Sequence, residues 1–269
     1  MLSVITPVFN GVRFMESCIL NVIEQLRPGV EHVVVDGGST DGTVDVIRRY
    51  AANHSHIRWI SERDRGQSDA MNKGLGMAAG SVVSFLNVDD FYEPGTLSAA
   101  IALFERLPDP SLLVGNCNVW DDDGKLLFVS RPFRMSYENL LSGRFMEAFP
   151  MNPAAYFYHA SLHRKIGLYD LDEHYAMDVE FILKAVQAAN VVYLDRTFGN
   201  YRYLRGTKTY EQDQNGETQR VVRQVVYRHL KQLPLLRRLK LMLRYEWPRN
   251  RCLRRVKVVA ARLLTGNGG

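Results

Sequence analysis

Cysteine is scarce in this chain of 269 residues: Cys18, Cys117 and Cys252 are odd in number and far apart. Such spacing makes neither a disulfide framework nor a zinc site, and it suits a reducing compartment. Long apolar runs are also lacking. The longest stretch free of Asp, Glu, Lys, Arg and His spans Gly74 to Val88, 15 residues broken by Gly76, Gly80, Ser81 and Ser84. A spanning helix needs about 20 mostly apolar residues, so none is expected. No basic stretch precedes the apolar residues after Met1, which reads against a secretory signal. The phosphate loops G-x-G-x-x-G and G-x-x-x-x-G-K-S/T do not occur, and no internal repeat is visible.

What the chain does have is charge of one sign in one place. Residues 1–217 hold 20 Lys+Arg against 28 Asp+Glu, whereas residues 218–269 hold 14 against a single acid, Glu246. The formal +5 is therefore the sum of an acidic body at −8 and a basic tail at +13.

Along the body, short β-rich runs alternate with helix-period segments. Strands are expected at Ser3–Thr6, His32–Asp36, Arg58–Ser61 and Ser81–Leu86. Between them, Ile19, Val22, Ile23 and Leu26 share a helix face, as do Val44, Ile47 and Ala51. Further helices run through Ala70, Met71, Gly74, Leu75 and Ala78, and through Leu97, Ala100, Ile101 and Phe104. This alternation predicts an α/β fold with a doubly wound, mostly parallel sheet. After Pro110 the rhythm changes to a hairpin around Asp121-Asp-Asp-Gly124, a strand at Ala155–Tyr158, a helix over 177–189 and a strand at Val191–Leu194. The expected layout is a 1–110 half, a 111–217 half and a basic helical extension over 218–269.

In an open parallel sheet, ligands bind beyond the carboxyl ends of the strands. Acidic residues follow three of the first four strands: Asp36, then Glu62 and Asp64, then Asp89 and Asp90. Asp36–Thr43 reads as a glycine-rich turn with Asp41 capping the next helix, and Asp36 is also placed to accept from a nucleobase imide. Adjacent carboxylates such as Asp89 and Asp90 repel unless a cation lies near them, which suits Mg²⁺ or Mn²⁺; the alternative is an acidic helix cap. Asp178, near the start of a helix, is either an acid favoured by the helix dipole or a general base. His159 and His163 are four apart and read as a solvated helix face, since no third ligand accompanies them.

In order, Ser3-Val-Ile-Thr-Pro-Val-Phe-Asn10, Val35-Asp-Gly-Gly-Ser-Thr-Asp-Gly-Thr43, Ser61-Glu-Arg-Asp-Arg-Gly-Gln-Ser-Asp-Ala-Met-Asn-Lys-Gly74 and Phe85-Leu-Asn-Val-Asp-Asp90 resemble the family 2 glycosyltransferases. The resemblance covers about residues 1–210 and implies the A-type nucleotide-diphospho-sugar transferase fold. It implies that Thr6, Pro7 and Asn10 border the nucleotide of the donor, that Asp36 binds its base, and that Asp64 helps hold the nucleoside. Asn72 and Lys73 would line the same pocket. Asp89, together with Asp90, would ligate Mg²⁺ or Mn²⁺, and Asp178 would be the catalytic base of an inverting transfer. Arg202 and Lys208 belong to a segment that resembles the loop closing over the diphosphate. Three departures stand out: Asn87 for the first acid of Asp-x-Asp, Gly37 for a second acid beside Asp36, and Met177 for the Glu beside the base.

On the acceptor side, Trp120, Phe149, Asn152 and Tyr156 are candidates because sugar rings pack on aromatic faces; plain core packing is the competing account of the aromatics. The implied partners are a nucleotide-diphospho-sugar, a UDP-sugar first among them, and a saccharide or lipid-linked saccharide of cell-surface polysaccharide. In the tail, Leu235, Leu239 and Met242 form one helix stripe, and Leu253, Val256, Ala260 and Leu263 another, both flanked by Arg and Lys. That pattern fits a helix lying on an anionic membrane, hence a cytoplasmic protein peripheral to the inner face. The alternatives are a helix packed on the body with its basic side solvated, and a nucleic-acid-binding stripe, for which no reading motif is present. A non-catalytic nucleotide-binding relative is the remaining alternative.

Overall fold

The computed structural model describes residues 1–142, 149–173 and 175–241. The tail residues Met242, Leu253, Val256, Ala260 and Leu263 lie outside the described residues.

The first half alternates as expected: β1 (Leu2–Val8), α1 (Val12–Glu24), β2 (Val30–Asp36), α2 (Thr43–Ala51), β3 (Ile57–Ser61), α3 (Gln67–Met77) and β4 (Val82–Phe85). These four strands pair in parallel in the order β3-β2-β1-β4, with Ile5 opposite Val33 and Phe85. β1 and β2 are buried along their whole lengths because helices cover both faces. Alternate residues feed two cores. Val4 and Val34 pack with Met15, Ile19, Val22, Ile47 and Leu97, while Ile5, Val33 and Val35 pack with Met71, Phe181, Val225 and Val226. Each such side chain contributes roughly 1.5–3 kcal/mol by leaving water. Gly74 lets α3 sit close on the sheet: a Cβ there would lie 2.3 Å from Ile5 Cγ2.

The second half adds β5 (Phe91–Tyr92), α4 (Thr96–Phe104), β6 (Ser111–Trp120), β7 (Leu126–Ser130), α5 (Tyr137–Leu141), a 3₁₀ turn (Pro153–Ala155), β8 (Tyr156–His159) and α6 (Leu162–Ile166). Then come α7 (Met177–Ala188), β9 (Asn190–Arg202), α8 (Lys208–Gln214), α9 (Glu217–Gln232) and α10 (Leu235–Leu241). The sheet continues β4-β8-β6-β9-β5, with β8 antiparallel to β4 and to β6, and β6 parallel to β9. The rhythm change at Pro110 therefore does not open a second sheet: β8 and β6 extend the first one beyond β4.

Two sequence expectations are revised, and one element is new. β9 runs on to Arg202, well past Leu194, through register shifts opposite Val114 to Cys117 that turn Asp195 and Arg196 outward. The two-residue β5 is too short to show as a periodic run. His159 and His163 do not share a helix face: His159 is buried at the end of β8, where Nδ1 accepts from Ser111 N, while His163 lies on α6 against Tyr158.

The boundary expected after Glu217 falls at the first residue of α9. This helix packs on the body through Val225 and Val226, an ion pair from Arg228 to Glu173, and His229 between Tyr137 and Glu180. Among the described residues, no helix is long and apolar enough to cross a membrane.

Candidate active site

The loops after β1 and β2 are laced together at the carboxyl edge of the sheet. Asn10, at φ 51°, donates its N–H to Ser39 Oγ at 2.7 Å and accepts from Thr40 N at 3.0 Å through Oδ1. Asp41 serves two helices, not one: Oδ2 accepts from Val12 N of α1, and Oδ1 accepts from Thr43 N of α2, whose cap position is Gly42. Asp36 is buried here. Its Oδ2 takes three donors, Gly38 N and Ser39 N at 3.0 Å and Ser61 Oγ at 2.7 Å. Its Oδ1 is buried with no partner. A buried carboxylate oxygen without a donor is costly in a finished structure.

Gly37 explains one departure from the family pattern. A Cβ at residue 37 would lie 2.4 Å from Asp64 Oδ2, so the Asp64 carboxylate fills the volume a second acid there would need. Asp64 is held by Gly66 N at 2.9 Å. Asp36 and Asp64 are thus neighbours, although 28 positions separate them in sequence.

The loop after β4 carries Asp89 and Asp90. Asp90 is fully buried, and both its oxygens are engaged: Oδ2 accepts from Asn152 Nδ2 at 2.7 Å and Asn87 Nδ2 at 3.1 Å, and Oδ1 from Arg202 N at 3.1 Å. Burial, then Asp89, push the Asp90 carboxyl well above the usual range, opposed by those three donors. Asn87 is therefore more than a lost acid; an aspartate there would set a carboxylate against Asp90. The Asp89 carboxylate has no hydrogen bond to another residue's side chain among the described residues, so its oxygens are not committed within the protein as those of Asp90 are. Burial raises its pKa, and Arg202 opposes that rise. Arg202 donates to Asp89 O at 2.7 Å and lies over the rings of Phe91 and Phe14.

Asp178 stands in the first turn of α7, beside the start of α3: Ser68 Oγ donates to Glu173 O at 3.1 Å and lies 3.5 Å from Met177 Sδ. Asp178 Oδ1 is buried without a partner, and desolvation lifts the carboxyl to about 6. The Met177 thioether, in the place of a family Glu, adds apolar surroundings and no charge. Glu173, which sequence reasoning missed, shapes the approach to α7 by accepting from Tyr175 N and Ala176 N. Lys208 reaches the same loop, with Nζ 4.6 Å from the Tyr175 ring centroid.

Several expected site residues face elsewhere. Thr6 Oγ1 is buried against His32 Nε2 at 2.9 Å, and burial holds that imidazole neutral by lowering its pKa to about 3. Pro7 is buried in β1 opposite Val35. Both Asn72 side-chain atoms bond the Tyr169 backbone, at 2.8 and 2.9 Å. Lys73 braces the loop after β3 through Glu62 at 2.9 Å, Asp69 and Arg63 O. Asn152 holds Asp90 and caps the 3₁₀ turn through Ala154 N, so its amide is spent inside the protein. Tyr156 is a buried core ring stacked on Phe181. Trp120 donates to Asn200 Oδ1 and keeps part of its ring accessible, and Phe149 packs partly against the core.

A mostly parallel sheet covered by helices on both faces, with an acid-lined rim at its carboxyl edge, is the architecture of the A-type glycosyltransferases. The chain belongs to glycosyl transferase family 2: that family's model matches residues 3–165. It is 35% identical over 193 residues to an uncharacterised glycosyltransferase of Mycobacterium tuberculosis, covering 68% of each chain. It is 40% identical over 117 residues to a PGL/p-HBAD biosynthesis glycosyltransferase of Mycobacterium bovis, covering 42% of this chain and 45% of that one. Among solved structures, S. aureus TarS 1–349 in complex with UDP-GlcNAc superposes with a TM-score of 0.67 at 19% identity, over 91% of this chain and 71% of that one. A Pyrobaculum calidifontis mannosyltransferase with GDP-Man and Mn²⁺ superposes with a TM-score of 0.54 at 19% identity, over 98% and 84%.

Proposed function

We propose that this glycosyltransferase moves a sugar from a nucleotide-diphospho-sugar to an acceptor hydroxyl with inversion at the anomeric carbon. The observation that carries the reading is the pairing, at one sheet edge, of two differently prepared carboxylates: the unpartnered Oδ1 of Asp36 and the desolvated Asp178. Asp36 Oδ1 accepts the imide N–H of the base, and Asp64 and the Asn10–Ser39 lacing shape the nucleoside pocket. A UDP-sugar is the favoured donor, in keeping with the TarS complexes with UDP-GlcNAc and UDP.

A divalent cation fits this donor set in one way. Among the described residues no cluster of three His, Cys, Asp or Glu could hold a metal, and the oxygens of Asp90 are already taken. Asp89 remains, and Mg²⁺ or Mn²⁺ needs only one or two carboxylates when substrate phosphates complete the shell. A bound cation supplies charge neutralisation to the leaving diphosphate. The chain's own residues do the rest: Arg202, fixed by Phe91, Phe14 and Asp89 O, brings positive charge to the same place, and Lys208 adds a second cation over Tyr175, in the loop that leads into α7. Asp178 takes the proton of the acceptor hydroxyl as it attacks.

The acceptor is a saccharide, free or lipid-linked, in cell-wall or glycolipid synthesis, consistent with the M. bovis relative's PGL/p-HBAD designation. Trp120 is the acceptor-side ring best placed, since it pairs in register with Arg202. The surface of α10 supports attachment to an anionic membrane: Leu235, Leu236 and Leu239 are 70%, 76% and 45% exposed, among Arg237, Arg238 and Lys240. Calorimetric titration of UDP and UDP-GlcNAc into the full chain with Mn²⁺ tests the donor site. Binding that is lost in Asp36→Ala supports it; no binding of any nucleotide-sugar in a wider panel removes it. Flotation with anionic and neutral vesicles tests the tail, and equal recovery with both would remove the electrostatic account.

A further inference from the structure

Among the described residues the sheet leaves edges open at β3, at β9 with β5, and at β7, and these edges are finished differently. β3 carries Arg58, whose guanidinium pairs with Glu31 at 3.1 Å, and β5 is two residues long. The stretch of β9 that β5 leaves uncovered carries Asp195 and Arg196. Charges and short strands of this kind keep a sheet edge from pairing with another chain. β7 has neither device. Its five residues, Leu-Leu-Phe-Val-Ser, hold no charge and no proline, and among the described residues it pairs with β6 alone.

The side chains of β7 are uncovered as well: Leu126, Leu127 and Phe128 are all exposed. A register shift between Val119 and Trp120 of β6 leaves Leu127 without an opposite residue on that side. An apolar row beside unpaired N–H and C=O groups is a template for another strand. The ends of β7 indicate which strand. Asp121, Asp122 and Asp123 precede it in the turn, and Arg131 follows it. Asp121 Oδ1 shapes the turn by accepting from Asp123 N and Lys125 N, and Asp122 receives Arg205 N and pairs with its guanidinium at 3.7 Å. Asp123 and Arg131 are exposed, and among the described residues neither is held in an ion pair; the Arg131 charge is felt at Asp195 from beyond that distance.

We infer that β7 is a self-association surface, pairing edge to edge and antiparallel with β7 of a second copy in a twofold dimer. Asp123 and Arg131 each stand four residues from Leu127. A twofold axis through Leu127 therefore sets Asp123 of each copy beside Arg131 of the other. The same register puts Leu126 opposite Phe128 and Leu127 opposite its own copy, apolar cross-strand pairs that stabilise a sheet. Lys125 falls opposite Val129, clear of Arg131. A strand that is apolar in the middle, acidic at one end and basic at the other is complementary to itself reversed. An anionic membrane, by contrast, would meet the three aspartates of the turn.

Sedimentation equilibrium of the full chain tests this without substrate or nucleotide. The wild type should form dimers. Asp123→Arg and Arg131→Asp each set like charges together at both ends of the pair, and each should weaken association about tenfold or more. Mixed in equal amounts, the two variants should dimerise again, because one carries only positive and the other only negative charge at these positions. Both changes made in one chain should likewise restore the dimer, and recovery in either form shows that the variants fold. Leu127→Lys, which places two like charges on the axis, should be monomeric. A wild type that stays monomeric throughout, single variants that dimerise as the wild type does, or a mixture that fails to reassociate would overturn the proposal. So would a monomer that binds neutral phosphatidylcholine vesicles and loses that binding in Leu127→Lys, which would give this face to lipid.

Discussion

Asn152 Nδ2 stands 2.7 Å from Asp90 Oδ2, joining the segment that leads into β8 to the loop after β4 across 62 positions of sequence. Through the other Asp90 oxygen the same carboxylate receives Arg202 N, so three separate stretches meet on one buried acid. The consequence is geometric. Asp89 and Arg202 face each other because Asp90 holds both of their backbones in place.

Removing the amide should therefore cost stability before it costs chemistry. Asn152→Ala leaves a buried carboxylate one charge-assisted bond short, a loss of about 1.5–3 kcal/mol. Asn152→Asp should be worse, since it sets like charges together. Urea denaturation followed by circular dichroism gives both values.

Asp89 and Asp90 should separate in experiment. Asp89→Asn should fold like the wild type and lose most of the Mn²⁺-dependent enhancement of nucleotide binding, read by thermal shift with UDP at several metal concentrations. Asp90→Asn should lower the melting temperature even without ligand, because it must now satisfy three N–H donors with one carbonyl oxygen. Equal behaviour of the two variants would count against the division of roles.

The contact between α7 and α9 should be pH-sensitive. His229, first of all, and Lys184 hold Glu180 down to about 2, from an ordinary 4.5. A carboxylate with a depressed folded pKa adds stability that is fully present above about 4.5 and fades as pH falls toward about 2. Stability measured across that window should decline less steeply in Glu180→Gln than in the wild type, although partial exposure of the pair will moderate the difference.

Much of this was legible beforehand because buried parallel strands announce themselves: Val33-Val34-Val35 has no solvent-facing side, and Asp36 ends it. The same reasoning placed the acids at the strand ends, since that placement follows from topology alone. It could not tell which carboxylate oxygens were already taken. The partners of Asp90, at Asn152 and Arg202, are 62 and 112 positions away, and nothing in local spacing reports them. Tyr156 is a similar case: only the fold shows that its ring is core, stacked on Phe181 of α7. Glu173 sits three residues ahead of Ala176, the cap position of α7, and nothing in local spacing marks it out from the other acids of its loop.

Sugar transfer itself should follow the Asp178 carboxyl. Because its folded pKa is raised to about 6, the basic form is depleted below that pH, and the rate should fall about tenfold per pH unit there. A pH–rate profile at saturating donor gives the limb, and a limb near the ordinary aspartate value would argue for a more solvated base.

The most direct test of the whole account is a comparison of the full-length wild type with Asp178→Asn across a panel of nucleotide-diphospho-sugars with Mn²⁺, measuring donor affinity and nucleotide release together. The account predicts one donor that both proteins bind with similar affinity and that only the wild type turns over. Wild-type turnover by Asp178→Asn, or no donor bound by either protein, would contradict it.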